Sequence, residues 1–127
     1  MSELPKEKDV EMALRKHLKE HGYTVREKAG IRWVDIVASK NGKNYYVGVE
    51  GNTNRRGNPM TSSQKYTHLL WAVGQICFRM NDDPEGIYEL VLAEDEYYRK
   101  KIAELQTSLK KLDVETYFLD SKGNITH

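Results

Sequence analysis

Asp35 and Glu50 are the residues of this chain best placed to do chemistry. Asp35 lies in the apolar run Trp33-Val34-Asp35-Ile36-Val37-Ala38, and Glu50 lies in Tyr45-Tyr46-Val47-Gly48-Val49-Glu50-Gly51-Asn52. Both segments are rich in β-branched and aromatic residues and read as strands. Between them, Lys40-Asn41-Gly42-Lys43 carries Asn-Gly, the strongest short hairpin signal. With Asn41 and Gly42 as the turn, Lys40 pairs with Lys43 and Asp35 falls opposite Gly48. Period-two alternation then makes Glu50 the diagonal neighbour of Asp35 on the same sheet face, roughly 7–8 Å away. Two anions side by side on a half-buried sheet are costly unless a cation or a shared proton compensates them. A shared cation is the reading this spacing favours, with Gly48 leaving room and Asn52 repeating the parity. The plainer alternative is a pair of solvent-facing acids on a sheet with one wet face.

The elements that must position these groups follow from periodicity. Residues from about 6 to 21 form a helix with Val10, Ala13, Leu14, His17 and Leu18 on one arc, ended by Gly22. Tyr23 to Lys28 is a short strand, followed by the hairpin and the polar loop Thr53-Asn54-Arg55-Arg56-Gly57-Asn58-Pro59. A second helix starts at Thr61, whose spacing to Gln64 fits a capping box. Its expected inner face is Tyr66, Leu69, Leu70, Val73, Cys77 and Met80, and Asn81-Asp82-Asp83-Pro84 stops it. Ile87–Ala93 is an apolar strand. A third helix presents Tyr98, Ile102, Leu105, Leu109 and Leu112, and Val114–Leu119 is the last strand. The order is αβββαβαβ, an antiparallel meander continued by parallel crossovers in a mixed sheet flanked by helices.

Composition bounds the rest. With 127 residues, 39% of them hydrophobic, the chain is long enough for one domain over residues 1–127. It has no apolar run near the roughly 20 residues of a membrane span and no signal-peptide pattern. A lone cysteine, Cys77, is expected in the core, and the protein is expected in the reducing cytoplasm. Net charge is only +1, but residues 1–80 carry fourteen basic against eight acidic side chains, while residues 81–127 carry six against eleven. The basic half holds the hairpin, as a polyanion-binding face would require.

The helix acid, the Asp on the second strand and the Glu-x-Asn on the third together resemble the PD-(D/E)xK nuclease superfamily, over nearly the whole chain. The stretch from Val10-Glu11 through His21-Gly22-Tyr23, then Val34-Asp35-Ile36-Val37-Ala38 and Glu50-Gly51-Asn52, looks most like the archaeal Holliday junction resolvases. The resemblance implies an α/β restriction-endonuclease-like core. It also implies an endonuclease that hydrolyses phosphodiester bonds of branched or structured DNA with Mg2+ or Mn2+, and a homodimer. Glu11, Asp35 and Glu50 would hold the metal with the main-chain carbonyl of Gly51. Glu7, one turn earlier on the same side, is the second candidate for the helix acid. In the family a lysine usually stands where this chain has Asn52, which carries no charge. Lys65, next to Gln64 at the start of the second helix, is the candidate substitute, and Arg55, Arg56, Gln64 and Lys65 are the candidate DNA-binding residues.

Two alternatives accompany this reading. Without the lysine, the chain would be a catalytically degraded nuclease-fold protein that binds nucleic acid without cutting. His17-Leu18-Lys19-Glu20-His21 matches the H-x-x-E-H pattern of zinc peptidases, although no third ligand is evident. Trp33 and Trp71 are candidate base-stacking surfaces, Trp33 as a wall of the acid site and Trp71 off the main stripe of its helix.

Overall fold

Asn41 and Gly42 both adopt positive φ, 54° and 77°, the backbone that a two-residue primed turn demands and that Asn-Gly supplies at little cost. The computed structural model describes residues 7–26, 35–54 and 56–127. They form α1 (Glu7–Glu20), β1 (Thr24–Val25), β2 (Ile36–Lys40), β3 (Lys43–Glu50), α2 (Ser62–Asp82), β4 (Ile87–Ala93), α3 (Glu96–Lys111), β5 (Val114–Leu119) and β6 (Ile125–Thr126). The expected order is present, with β6 added at the end. Trp33, Val34 and Arg55 lie outside the described residues.

The six strands make one sheet in sequential order. β1, β2 and β3 pair antiparallel, β3 to β4 and β4 to β5 pair parallel, and β6 returns antiparallel on β5. The hairpin register runs from Lys40↔Lys43 to Ile36↔Val47, as the turn dictates. Each parallel pair needs a helical crossover, and α2 and α3 provide them. Thr61 caps α2 through the expected box: its hydroxyl accepts from the Gln64 N–H, and the Gln64 side chain accepts from the Thr61 N–H.

Alternation along the strands divides the core in two. Val37, Tyr46, Tyr88, Leu90 and Leu92 face α2 and α3, where they meet Leu69, Ala72, Ile76, Tyr98 and Leu109. Ile36, Ala38, Val47, Val49 and Val91 face α1 and meet Val10, Leu14 and Leu18. The molecule is therefore a helix–sheet–helix sandwich. Gly86 closes the corner before β4, because a Cβ there would lie 2.5 Å from Tyr46 Cε2.

The inner face of α2 differs from expectation. Of that expected face, Leu69 is buried and Val73 and Met80 pack against the core beside Ala72 and Ile76, whereas Tyr66, Leu70 and Cys77 are exposed, so Cys77 is not core packing. The cause is local. Gly48 on β3 leaves space that Ile76 fills, its Cδ1 coming 3.5 Å from where a glycine Cβ would stand. That contact turns the helix toward Ala72 and Ile76. Two apolar stripes run along α2, and periodicity alone does not say which one the sheet takes.

Candidate metal centre

Asp35 lies just before the hairpin ladder and Glu50 ends β3. Continuing the alternation through Val37 and Tyr46 places Asp35, Gly48 and Glu50 on the sheet face covered by α2 and α3. The ladder is irregular at Asp35: its N–H donates to the Val47 carbonyl at 3.1 Å, and its Oδ2 accepts from the Val49 N–H at 2.8 Å. One acid is thereby anchored to the strand that carries the other.

Glu50 is buried, its side chain 8% exposed, and His68 from α2 approaches it with Nδ1 3.2 Å from Oε2. Glu7 from the first turn of α1 completes the group: Glu7, Glu50 and His68 each offer a ligand atom, and all these atoms lie within 4.8 Å of one another. Burial first, then the charges of Glu7 and Asp35, push the Glu50 carboxyl up to about 9. At neutral pH an isolated Glu50 therefore keeps its proton, and a cation in the cluster would displace it. Two carboxylates and an imidazole around one point form a donor set suited to a divalent metal, with the nitrogen favouring Mn2+ over Mg2+.

Glu11, one turn beyond Glu7, is engaged elsewhere. It forms an ion pair with Arg15 at 3.8 Å, and Arg15 also donates to the carbonyls of Arg26 and Asp35. Glu7 thus takes the position in the cluster for which Glu11 was the first candidate. The two share a helix face, and one turn of ambiguity along α1 separates them.

Beside the acids lies a second polar group. Asn52 is 3% exposed, and its Nδ2 donates to Asp95 Oδ1 at 3.3 Å. The same oxygen accepts from Lys65 Nζ at 2.7 Å, while Asp95 Oδ2 takes the Tyr98 N–H and caps α3. Burial pushes the Asp95 carboxyl up, but the hydrogen bonds from Lys65, the Tyr98 N–H and Asn52 outweigh it and hold the group below its ordinary value. Asn52 Oδ1 is buried with no partner among the described residues, a further oxygen left for a ligand or a water. Asp95 and His68 are absent from the sequence-based candidates. The signal for Asp95 is topological: β4 runs parallel to β3 with Glu50 opposite Leu92, so the residues just past β4 arrive beside Asn52. Functional groups gather at that end of parallel strands.

The remaining candidates occupy several places. The Gly51 carbonyl accepts from the buried Tyr98 hydroxyl at 2.8 Å. Gln64 is tied to its capping role. Arg56 is exposed in a turn organised by the Asn54 side chain, which accepts from the N–H groups of Arg56 and Asn58. His17 and His21 stack with ring centroids 4.1 Å apart, and His21 Nδ1 bonds the His17 carbonyl at 2.8 Å. They border a cavity of about 240 Å3 with Lys40, Glu89 and Tyr117. Among the described residues no third acid, histidine or cysteine joins them within ligand reach.

Replacing Tyr98 with Phe should show how tightly the Gly51 carbonyl is held. It strands a buried acceptor, so urea unfolding is expected to show a loss of about 1–3 kcal/mol. An unchanged midpoint would mean that Gly51 finds another donor.

These features define an α/β protein whose mixed six-stranded sheet is flanked by helices, as expected from the sequence, with acids gathered at the ends of its central strands. No family model matches the chain, and no curated protein sequence is similar to it. Among solved structures it is similar to an XisH family protein from Nostoc punctiforme PCC 73102, at 14% identity with a TM-score of 0.59, over 93% of this chain and 96% of that one. That likeness shows the fold. Among the described residues no helix is long and apolar enough to cross a membrane.

Proposed function

We propose that the protein is a divalent-metal-dependent nuclease of the PD-(D/E)xK type, acting on DNA, with Glu7, Glu50 and His68 as the metal-holding residues and Asp35 as the adjacent acid. The observation that carries this reading is the buried Glu50 carboxyl, which meets two further donors within 4.8 Å and is raised to about 9 while it lacks a cation. A bound divalent ion would supply a water acidic enough to attack at neutral pH and a positive charge for the phosphate. The protein's own share is positional. Asp35, fixed by the Val49 N–H, is the adjacent acid that acts on Glu50. Lys65, held by Asp95, stands next to Asn52 and provides the ammonium that the family's third-strand lysine would otherwise bring. Branched substrates and a homodimer belong to the same reading by resemblance, and phosphate gripping by Arg55 and Arg56 belongs to it by guanidinium chemistry.

The test is cleavage of duplex, forked and four-way DNA in Mg2+ and in Mn2+. Metal-dependent cutting that disappears in Asp35→Ala, with Mn2+ more effective than Mg2+, is the expected result. Cutting that persists in EDTA or in Asp35→Ala would overturn it.

One observation favours a second reading, binding without cutting: the Lys65 ammonium is committed to Asp95 at 2.7 Å, and the place of the family lysine is held by an uncharged amide. In that case the DNAs above are bound and left intact in every metal.

A further inference from the structure

Trp71 is 62% exposed, yet its ring centroid lies only 5.7 Å from that of His68, with the planes 44° apart. His68 in turn touches Glu50 at 3.2 Å. Lys65, His68 and Trp71 recur at three-residue spacing, so they form one slanting row on α2 that advances about 9 Å along the axis. The row leads from the Lys65 ammonium, past the acid cluster, to a bare indole. Two more features continue it at the lysine end, where Lys65 Nζ and Lys101 Nζ lie 5.9 and 5.7 Å from the centre of the Tyr97 ring.

We propose that Trp71 is a stacking platform for an unpaired nucleobase, so that the favoured ligand is nucleic acid with unpaired nucleotides beside the metal centre. The inference rests on the nucleic-acid reading above and narrows its substrate class. A paired base inside a duplex has both faces covered by its neighbours, whereas a single strand, a fork or a splayed branch point offers a free face. An indole next to the metal ligands selects for that free face. Trp71 belongs to neither core cluster, so a smaller residue there leaves both core clusters intact. Its position is also continuous with the site, since its ring neighbour is itself a ligand candidate.

The experiment measures binding of labelled single-stranded, forked and blunt duplex oligonucleotides to the full chain in Ca2+, for the natural protein, Trp71→Phe and Trp71→Ala. Thermal shift with Mn2+ checks that fold and metal centre survive in each. Trp71→Ala should weaken single-stranded and forked binding by roughly tenfold and duplex binding by less than about twofold, with Trp71→Phe between. Tryptophan emission should be quenched by the single strand in the natural protein, and the quenching should diminish in Trp71→Phe. If the natural protein binds these oligonucleotides and Trp71→Ala binds all of them equally well, or loses all equally, the stacking role falls while the nucleic-acid reading stands. If the natural protein binds none, both fall. If Trp71→Ala instead dissolves a dimer without changing oligonucleotide binding, the ring belongs to an interface between two copies and the inference is overturned.

Discussion

Glu50→Gln is expected to abolish divalent-metal binding and, in the same protein, to raise the stability of the metal-free state. The two effects have one cause. Burial and the neighbouring acids Glu7 and Asp35 raise the folded-state value of Glu50 from 4.5 to about 9. A carboxyl raised on folding binds its proton more tightly in the folded than in the unfolded chain, so between these limits each pH unit upward costs about 1.4 kcal/mol of stability. Below 4.5 both states are protonated and the effect vanishes; above about 9 it is complete. Glutamine mimics the protonated form and does not titrate. In EDTA, the natural protein should therefore lose melting temperature relative to Glu50→Gln as the pH rises from 6 to 8, by roughly 10 °C. Adding Mn2+ narrows that gap, because a cation that binds only the folded state stabilises the natural protein by about 2.7 kcal/mol at a hundredfold excess over its dissociation constant. The variant lacks a buried carboxylate to hold it and should show no shift. Parallel pH curves for the two proteins would remove the buried acid from its central role, and an equal Mn2+ shift would place the metal elsewhere.

The strand half of this centre was legible because strands have an unforgiving period. Once Asn41-Gly42 sets the turn, Asp35, Gly48 and Glu50 have no choice of face, and a one-residue slip would carry Val37 and Tyr46 to the opposite face, against α1. The limits of β4 and β5 were equally readable, since short apolar runs bounded by turn residues admit few other structures. The helix half was less so. Glu7 and Glu11 lie on the same side of α1, and only the packed structure tells which reaches Glu50 and which turns to Arg15. On α2, two apolar stripes compete, and the contact of Ile76 with Gly48 chooses between them; that choice also brings His68 over Glu50. A histidine with no partner at ligand spacing gives no sequence signal, because its partner is 18 residues away on another element. β6 escaped notice for a different reason. It is two residues long, and the Asp120 side chain, accepting from the N–H groups of Lys122 and Asn124, builds the turn that returns it.

Lys65→Met should lower metal-dependent cleavage by roughly 10²–10³ while leaving Mn2+ binding intact, as expected for loss of one preorganised donor. Asp95 is what makes this lysine more than a helix-surface charge: its Oδ1 fixes the ammonium at 2.7 Å and shares itself with Asn52. Lysine at position 65 and asparagine at position 52 thus form one unit with Asp95, and the unit can be inverted. Asn52→Lys alone places a second ammonium at a position only 3% exposed, beside a carboxylate already committed to Lys65. Its desolvation is offset only in part by the nearby acids and a shared Asp95, so the single variant should be destabilised. Combined with Lys65→Asn, it regains a one-to-one pairing with Asp95 from the strand side. The double variant should then recover most of the stability and, with an ammonium again beside the acids, part of the cleavage. The measurement is a double-mutant cycle in urea together with the cleavage assay, and the expected coupling is about 2–3 kcal/mol. Additive losses, or a Lys65→Met protein that cuts at the natural rate, would show that Lys65 caps the acid at the start of α3 and takes no part in the chemistry.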